Sequence, residues 1–141
     1  MPRDLMHCEL GGDLQVHGYA FLYMGIKLKW FTHNSLNRAI RHAQSDHFRV
    51  PTIPKVSLEG KKGDLPDPGG HLPYTAGQTI QFTLHIGEIL RPLLGPAALR
   101  HPVYRAWVAH NLYFQVRASP LFYPYYTILP ARILARTLCT P

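Results

Sequence analysis

From Asp13 to Trp30 the apolar residues keep to alternate positions. Leu14, Val16, Ala20, Leu22, Met24, Ile26, Leu28 and Trp30 are even; Gln15, His17, Lys27 and Lys29 are odd. Side chains that point to opposite faces in turn are the mark of a strand with one buried face. Tyr19, Phe21 and Tyr23 place three rings on the odd face. Large rings are expensive to leave wet and serve as interface anchors, so this face is expected to be covered by a second copy of the chain. Gly18 and Gly25 read as bulges or bends between two shorter strands.

The same period returns twice. Over Thr79 to Ile86, Ile80, Phe82, Leu84 and Ile86 oppose Thr79, Gln81, Thr83 and His85. Over Tyr104 to Arg117, the face Tyr104, Ala106, Val108, Leu112, Phe114, Val116 opposes Arg105, Trp107, Asn111, Tyr113, Gln115, Arg117. Phe122 to Leu129 reads as an edge strand, and Pro130 opens a closing helix through Leu138. Ser35 to Gln44 is the exception. Leu36, Ala39, Ile40 and Ala43 recur at helical spacing, with Ser35 as N-cap and Arg38, Arg41 and His42 on the outer face. Val50 to Pro54 and Gly60 to Pro73 are loop sequence. Ile89 to Leu99 is interrupted by Pro92 and Pro96 and fits neither pattern cleanly.

Thirteen prolines and eleven glycines suit short strands joined by turns better than a helical bundle. With 46% apolar and 16% charged residues the chain is too apolar for disorder. Its 141 residues make one domain that can hold a core without metals or disulfides. The expectation is a mainly β domain with short helices over residues 1–141, with a Pro/Arg-rich segment from about 118. Cys8 and Cys139 stand alone near opposite ends, which suits a reducing compartment. Neither a signal peptide nor a transmembrane segment is legible.

Charge is distributed unevenly. Fifteen Lys and Arg face eight Asp and Glu, and after Glu88 there are six arginines and no acid. Such surfaces attract nucleic acid or acidic lipid. Lys27, Lys29, Arg38 and Arg41 follow one another, Lys61 and Lys62 sit in a basic turn, and Arg105 keeps company with Trp107 and Tyr113. Cations beside aromatics suit single-stranded nucleic acid, where bases stack and cations track phosphates. The plainer reading of Trp107 and Tyr113 is that they pack beneath a neighbouring element.

Nine histidines show no Cys-x-x-Cys, His-Glu-x-x-His or facial-triad spacing, so no metal or other cofactor is expected. No Gly-x-Ser-x-Gly elbow and no phosphate-cradling glycine loop occurs, and carboxylate pairs are scarce. A non-enzymatic role follows. Tyr126 to Leu129 matches Tyr-x-x-Leu, a pattern any aromatic strand contains by chance.

Three stretches resemble bornavirus matrix proteins in order and spacing. The first runs from Cys8-Glu9-Leu10 through Val16-His17-Gly18-Tyr19 to Ile26. The second is Ala76-Gly77-Gln78-Thr79-Ile80, continuing to Ile86-Gly87-Glu88-Ile89-Leu90. The third is Arg100-His101-Pro102-Val103-Tyr104-Arg105. The resemblance implies a compact β-sandwich of the viral matrix N-terminal-domain type. It implies a homotetramer beneath a virion envelope, bound to acidic lipids of the inner leaflet and to ribonucleoprotein or RNA. It lends basic character at Arg100 and Arg105 a binding role. Two alternatives stand beside it: a cellular single-stranded RNA-binding module, and a small RNA-processing ribonuclease with a histidine base.

Overall fold

Two threonines open two helices by the same device. The Thr32 hydroxyl accepts the Ser35 N–H at 3.1 Å, and the Ser35 hydroxyl accepts the Thr32 N–H at 2.9 Å. Thr75 and Gln78 repeat the exchange at 3.3 and 3.0 Å. Each capping box satisfies two backbone donors that a helix start leaves open.

The computed structural model describes residues 12–58, 66 and 69–122, with side chains as far as Val116. Their elements are α1 (Leu14–Lys27), α2 (His33–His42), a short α3 (Lys55–Leu58), α4 (Ala76–Leu90), a 3-10 turn (Arg91–Leu93), α5 (Pro96–Arg100) and α6 (Pro102–Phe122). The described residues are 71% helix and form no sheet. The lone extended pairing is a bridge between Ser45 and Phe48.

The β-sandwich expected from the alternation and from the matrix resemblance is therefore wrong. Each of the three supposed strands is a helix. Tyr19 to Ile26 is apolar without a break, so it satisfies a period of 2 and a period of 3.6 equally. Length then decides, because strands run about 4–8 residues and this segment continues without a turn signal. In α4 the buried residues Thr79, Phe82, Thr83, Ile86 and Leu90 fall at helical intervals, as do Trp107, Asn111, Phe114 and Gln115 in α6. The prolines do not oppose this. Pro92, Pro96 and Pro102 each sit at the first or second position of a helical segment, where the missing N–H is not needed. The N-cap of α2 is Thr32, not Ser35, which serves at N3. The edge strand and closing helix expected beyond Phe122, and the Tyr126 to Leu129 motif, lie outside the described residues.

α1 lies against α3, α4 and α6, and α4 also touches α2 and α6. The core joins Phe21, Leu22, Leu36, Ile40, Phe82, Ile86, Leu90 and Trp107. A ring column runs through it: Trp107 stacks on Phe21 at 5.1 Å and meets Phe82 at 6.3 Å, and Phe82 meets Tyr74 at 5.4 Å. Gly18 and Gly25 are not bulges. A Cβ on Gly18 would come within 2.6 Å of Leu72, and one on Gly25 would meet the Phe31 ring. They let other residues approach the helix backbone closely.

A polar seam crosses the interior. Gln15 donates to the Tyr74 carbonyl at 2.7 Å and to Thr79 at 3.3 Å. Asn111 donates to the Thr83 carbonyl, and Gln115 donates to Asn111 at 2.6 Å. The loop before α3 is held by α2 and the turn after it: Asn37 donates to the Ile53 carbonyl and accepts its N–H, both at 2.8 Å, and Gln44 donates to the Val50 carbonyl at 2.7 Å. His33 Nε2 lies 2.6 Å from the same Ile53 carbonyl and 3.1 Å from the Asn37 amide nitrogen.

Candidate functional site

α1 ends in a Schellman turn. The Lys29 N–H reaches the Ile26 carbonyl at 3.1 Å, and the Trp30 N–H reaches the Gly25 carbonyl at 2.9 Å. This turn requires a left-handed residue one place after the C-cap Leu28. Lys29 fills it at φ 61°, the one positive φ on a non-glycine among the described residues. Glycine is usual there, and a residue with a Cβ costs about 1 kcal/mol more.

The turn delivers Trp30 to the side of Phe21, 6.5 Å away, and sets it edge-on to His101 at 5.3 Å. His101 joins α5 to α6. Its Nδ1 accepts the Val103 N–H at 3.2 Å, and its carbonyl accepts the Arg105 N–H at 3.1 Å. The Trp30–His101 contact thus brings two basic segments to one end of the bundle, Lys27 and Lys29 on one side and Arg100 and Arg105 on the other. All four cations are exposed, and Trp30, His101 and Tyr104 are half-buried. Lys27 also lies 5.7 Å over the Tyr23 ring. Among the described residues the one ion pair is Arg49–Asp46, on an exposed turn. No described carboxylate neutralises the cluster.

The remaining residues singled out from sequence are placed differently. Arg38 and Arg41 are exposed on α2, which contributes no residue to the Trp30–His101 contact. Lys61 and Lys62 lie outside the described residues. Tyr19, Phe21 and Tyr23 are only 3%, 2% and 4% exposed, packed in the chain's own core. They are not surface rings awaiting a partner. Trp107 is buried as well, whereas Tyr113 is exposed. Sequence reasoning missed Trp30 and His101. Lys-Leu-Lys-Trp and Leu-Arg-His, each a basic residue beside a ring, were the available signal.

No group of three or more His, Cys, Asp or Glu among the described residues is placed to hold a metal ion. No described helix is long and apolar enough to cross a membrane. One histidine is unusual. Burial, and secondarily the charge of His47, hold the His85 imidazole below its ordinary 6.5. Its Nε2 has no hydrogen-bond partner among the described residues, and Phe48 meets it edge-on at 5.8 Å. Below about pH 6.5 the unfolded chain then binds a proton the folded chain resists, so stability falls as pH drops. The melting temperature is expected to decline between pH 7 and pH 5, and His85→Leu should flatten that decline. Equal declines in both proteins would clear His85 of the effect.

No family model matches the chain, no curated protein matches it, and no solved structure matches it.

Proposed function

We propose that this protein is a non-enzymatic module that binds single-stranded RNA at the end of the bundle formed by Lys27, Lys29, Trp30, Arg100, His101 and Arg105. The observation behind this reading is the Trp30–His101 contact, which joins the two segments that carry four exposed cations. Cations that track phosphates, set beside a ring on which a base can stack, are the recurrent elements of sequence-tolerant single-strand binding. The matrix resemblance also implied a β-sandwich, which the helical fold contradicts, so the reading is argued from the cluster and not from that resemblance. An acidic membrane surface would engage the same cations and also accommodates a Trp ring at its headgroups, so vesicles are the competing arm of the test below.

The affinity follows from the parts. Four cations at about 1 kcal/mol each and one stacked base at about 1–3 kcal/mol give roughly 5–7 kcal/mol. That is a Kd between about 0.2 mM and 10 µM for one copy. Tighter binding would need several copies on one strand.

Fluorescence anisotropy with a short labelled oligouridylate tests this. Four phosphate contacts on a single strand predict a log–log salt slope near −2.8, so affinity should fall about 50-fold between 50 and 200 mM salt. The double reversal Arg100→Glu/Arg105→Glu should abolish binding. Binding to phosphatidylserine vesicles with none to the oligonucleotide would overturn the reading, as would salt-independent binding.

A further inference from the structure

We infer that Lys29 is a backbone-phosphate contact of the RNA, retained in a backbone conformation that glycine would adopt more easily because its ammonium is needed at this end of the molecule. The inference rests on the RNA reading above and deepens it. Three observations meet at the residue. Lys29 has φ 61°, and no other described non-glycine residue has a positive φ. The position is the left-handed link of a Schellman turn, where only the backbone N–H is structurally required and glycine serves best. The Lys29 side chain is exposed and makes no ion pair with a described residue, so nothing in the fold explains its presence.

Asparagine would be the ordinary compromise at such a position, because its short polar side chain tolerates the left-handed region. A long cation has no such local benefit. What distinguishes Lys29 is its place: it immediately precedes Trp30, whose ring touches His101 between Arg100 and Arg105. A cation here is held by a fixed turn at the base of the stacking ring instead of wandering on a loop. Strain kept at an otherwise replaceable position is the pattern expected of a binding residue.

The substitution that tests this moves stability and binding in opposite directions. Lys29→Gly is expected to raise the melting temperature by about 2–4 °C, since it relieves the left-handed lysine. The same variant should bind the labelled oligouridylate about fivefold more weakly, with a salt slope shallower by about 0.7, the signature of one lost phosphate contact. Lys29→Arg, which keeps both charge and strain, should resemble the wild type in both measurements. If Lys29→Gly is stabilised yet binds with wild-type affinity and slope, Lys29 is merely tolerated and the inference fails while the RNA reading stands. A Lys29→Gly protein that melts lower overturns the claim that the turn is strained. A wild-type protein that ignores the oligonucleotide defeats the RNA reading and the inference together.

Discussion

Phe21→Ala is expected to lose about 3–5 kcal/mol of folding stability, a fall of roughly 10–20 °C in melting temperature. The Phe21 ring is 2% exposed and stacks on Trp107 at 5.1 Å with 6° between planes. It also touches Tyr104 at 6.3 Å and Trp30 at 6.5 Å. Truncation empties a site walled by three rings that cannot easily collapse into it. The result separates a core ring from an interface ring. A core ring destabilises the chain to the same extent at every protein concentration. An interface anchor, the role expected from strand alternation, would leave a dilute protein unchanged and alter only its assembly. Denaturant melts over a hundredfold range of concentration, with light scattering in parallel, decide the matter. A stable, dissociated Phe21→Ala protein would contradict the packing described here.

Asn37→Ala is expected to cost about 2–4 kcal/mol despite removing only a small polar group. Asn37 is buried and makes paired 2.8 Å bonds with the Ile53 backbone, where no helix or sheet supplies partners. Without its amide the Ile53 N–H is stranded in the interior, and an unmet buried donor costs more than a made bond contributes. Gln44→Ala is the control. Gln44 also makes two bonds to backbone carbonyls, at 3.0 and 2.7 Å, but it is exposed and water can replace it. Its loss should cost no more than about 1 kcal/mol. Equal costs for the two substitutions, measured in urea, would mean that bond number and not burial governs this loop.

α2 was legible in the sequence because its two faces differ. Leu36 and Ile40 are buried and Arg38 and Arg41 exposed, so only the helical period fits. α1, α4 and α6 read as strands because each is apolar on most sides, and because Thr79, Thr83, Asn111 and Gln115 read as outward-facing. All four are buried. A period-2 reading assumes that polar means wet, and an interior seam of amides and hydroxyls violates that assumption. The capping box at Thr75 and Gln78 was the one local sign that the following segment was helical. The cations of the candidate site were legible as charge, but their grouping depends on the Trp30–His101 contact between segments about seventy residues apart. No local pattern encodes that contact.

The seam has a consequence for how a single arrangement is chosen. A rod that is oily nearly all round can be rolled about its axis, or slid by one turn of about 5.4 Å, and still press oil against oil. Gln15 with Thr79, between α1 and α4, and Asn111 with the Thr83 carbonyl, between α6 and α4, remove that freedom. Each wrong setting strands amides in the dry interior at about 1–3 kcal/mol apiece. Gln15, Thr79 and Asn111 therefore work as a key cut into otherwise interchangeable rods. Leucine, methionine and phenylalanine around them can trade places over evolutionary time while the key still admits only one alignment.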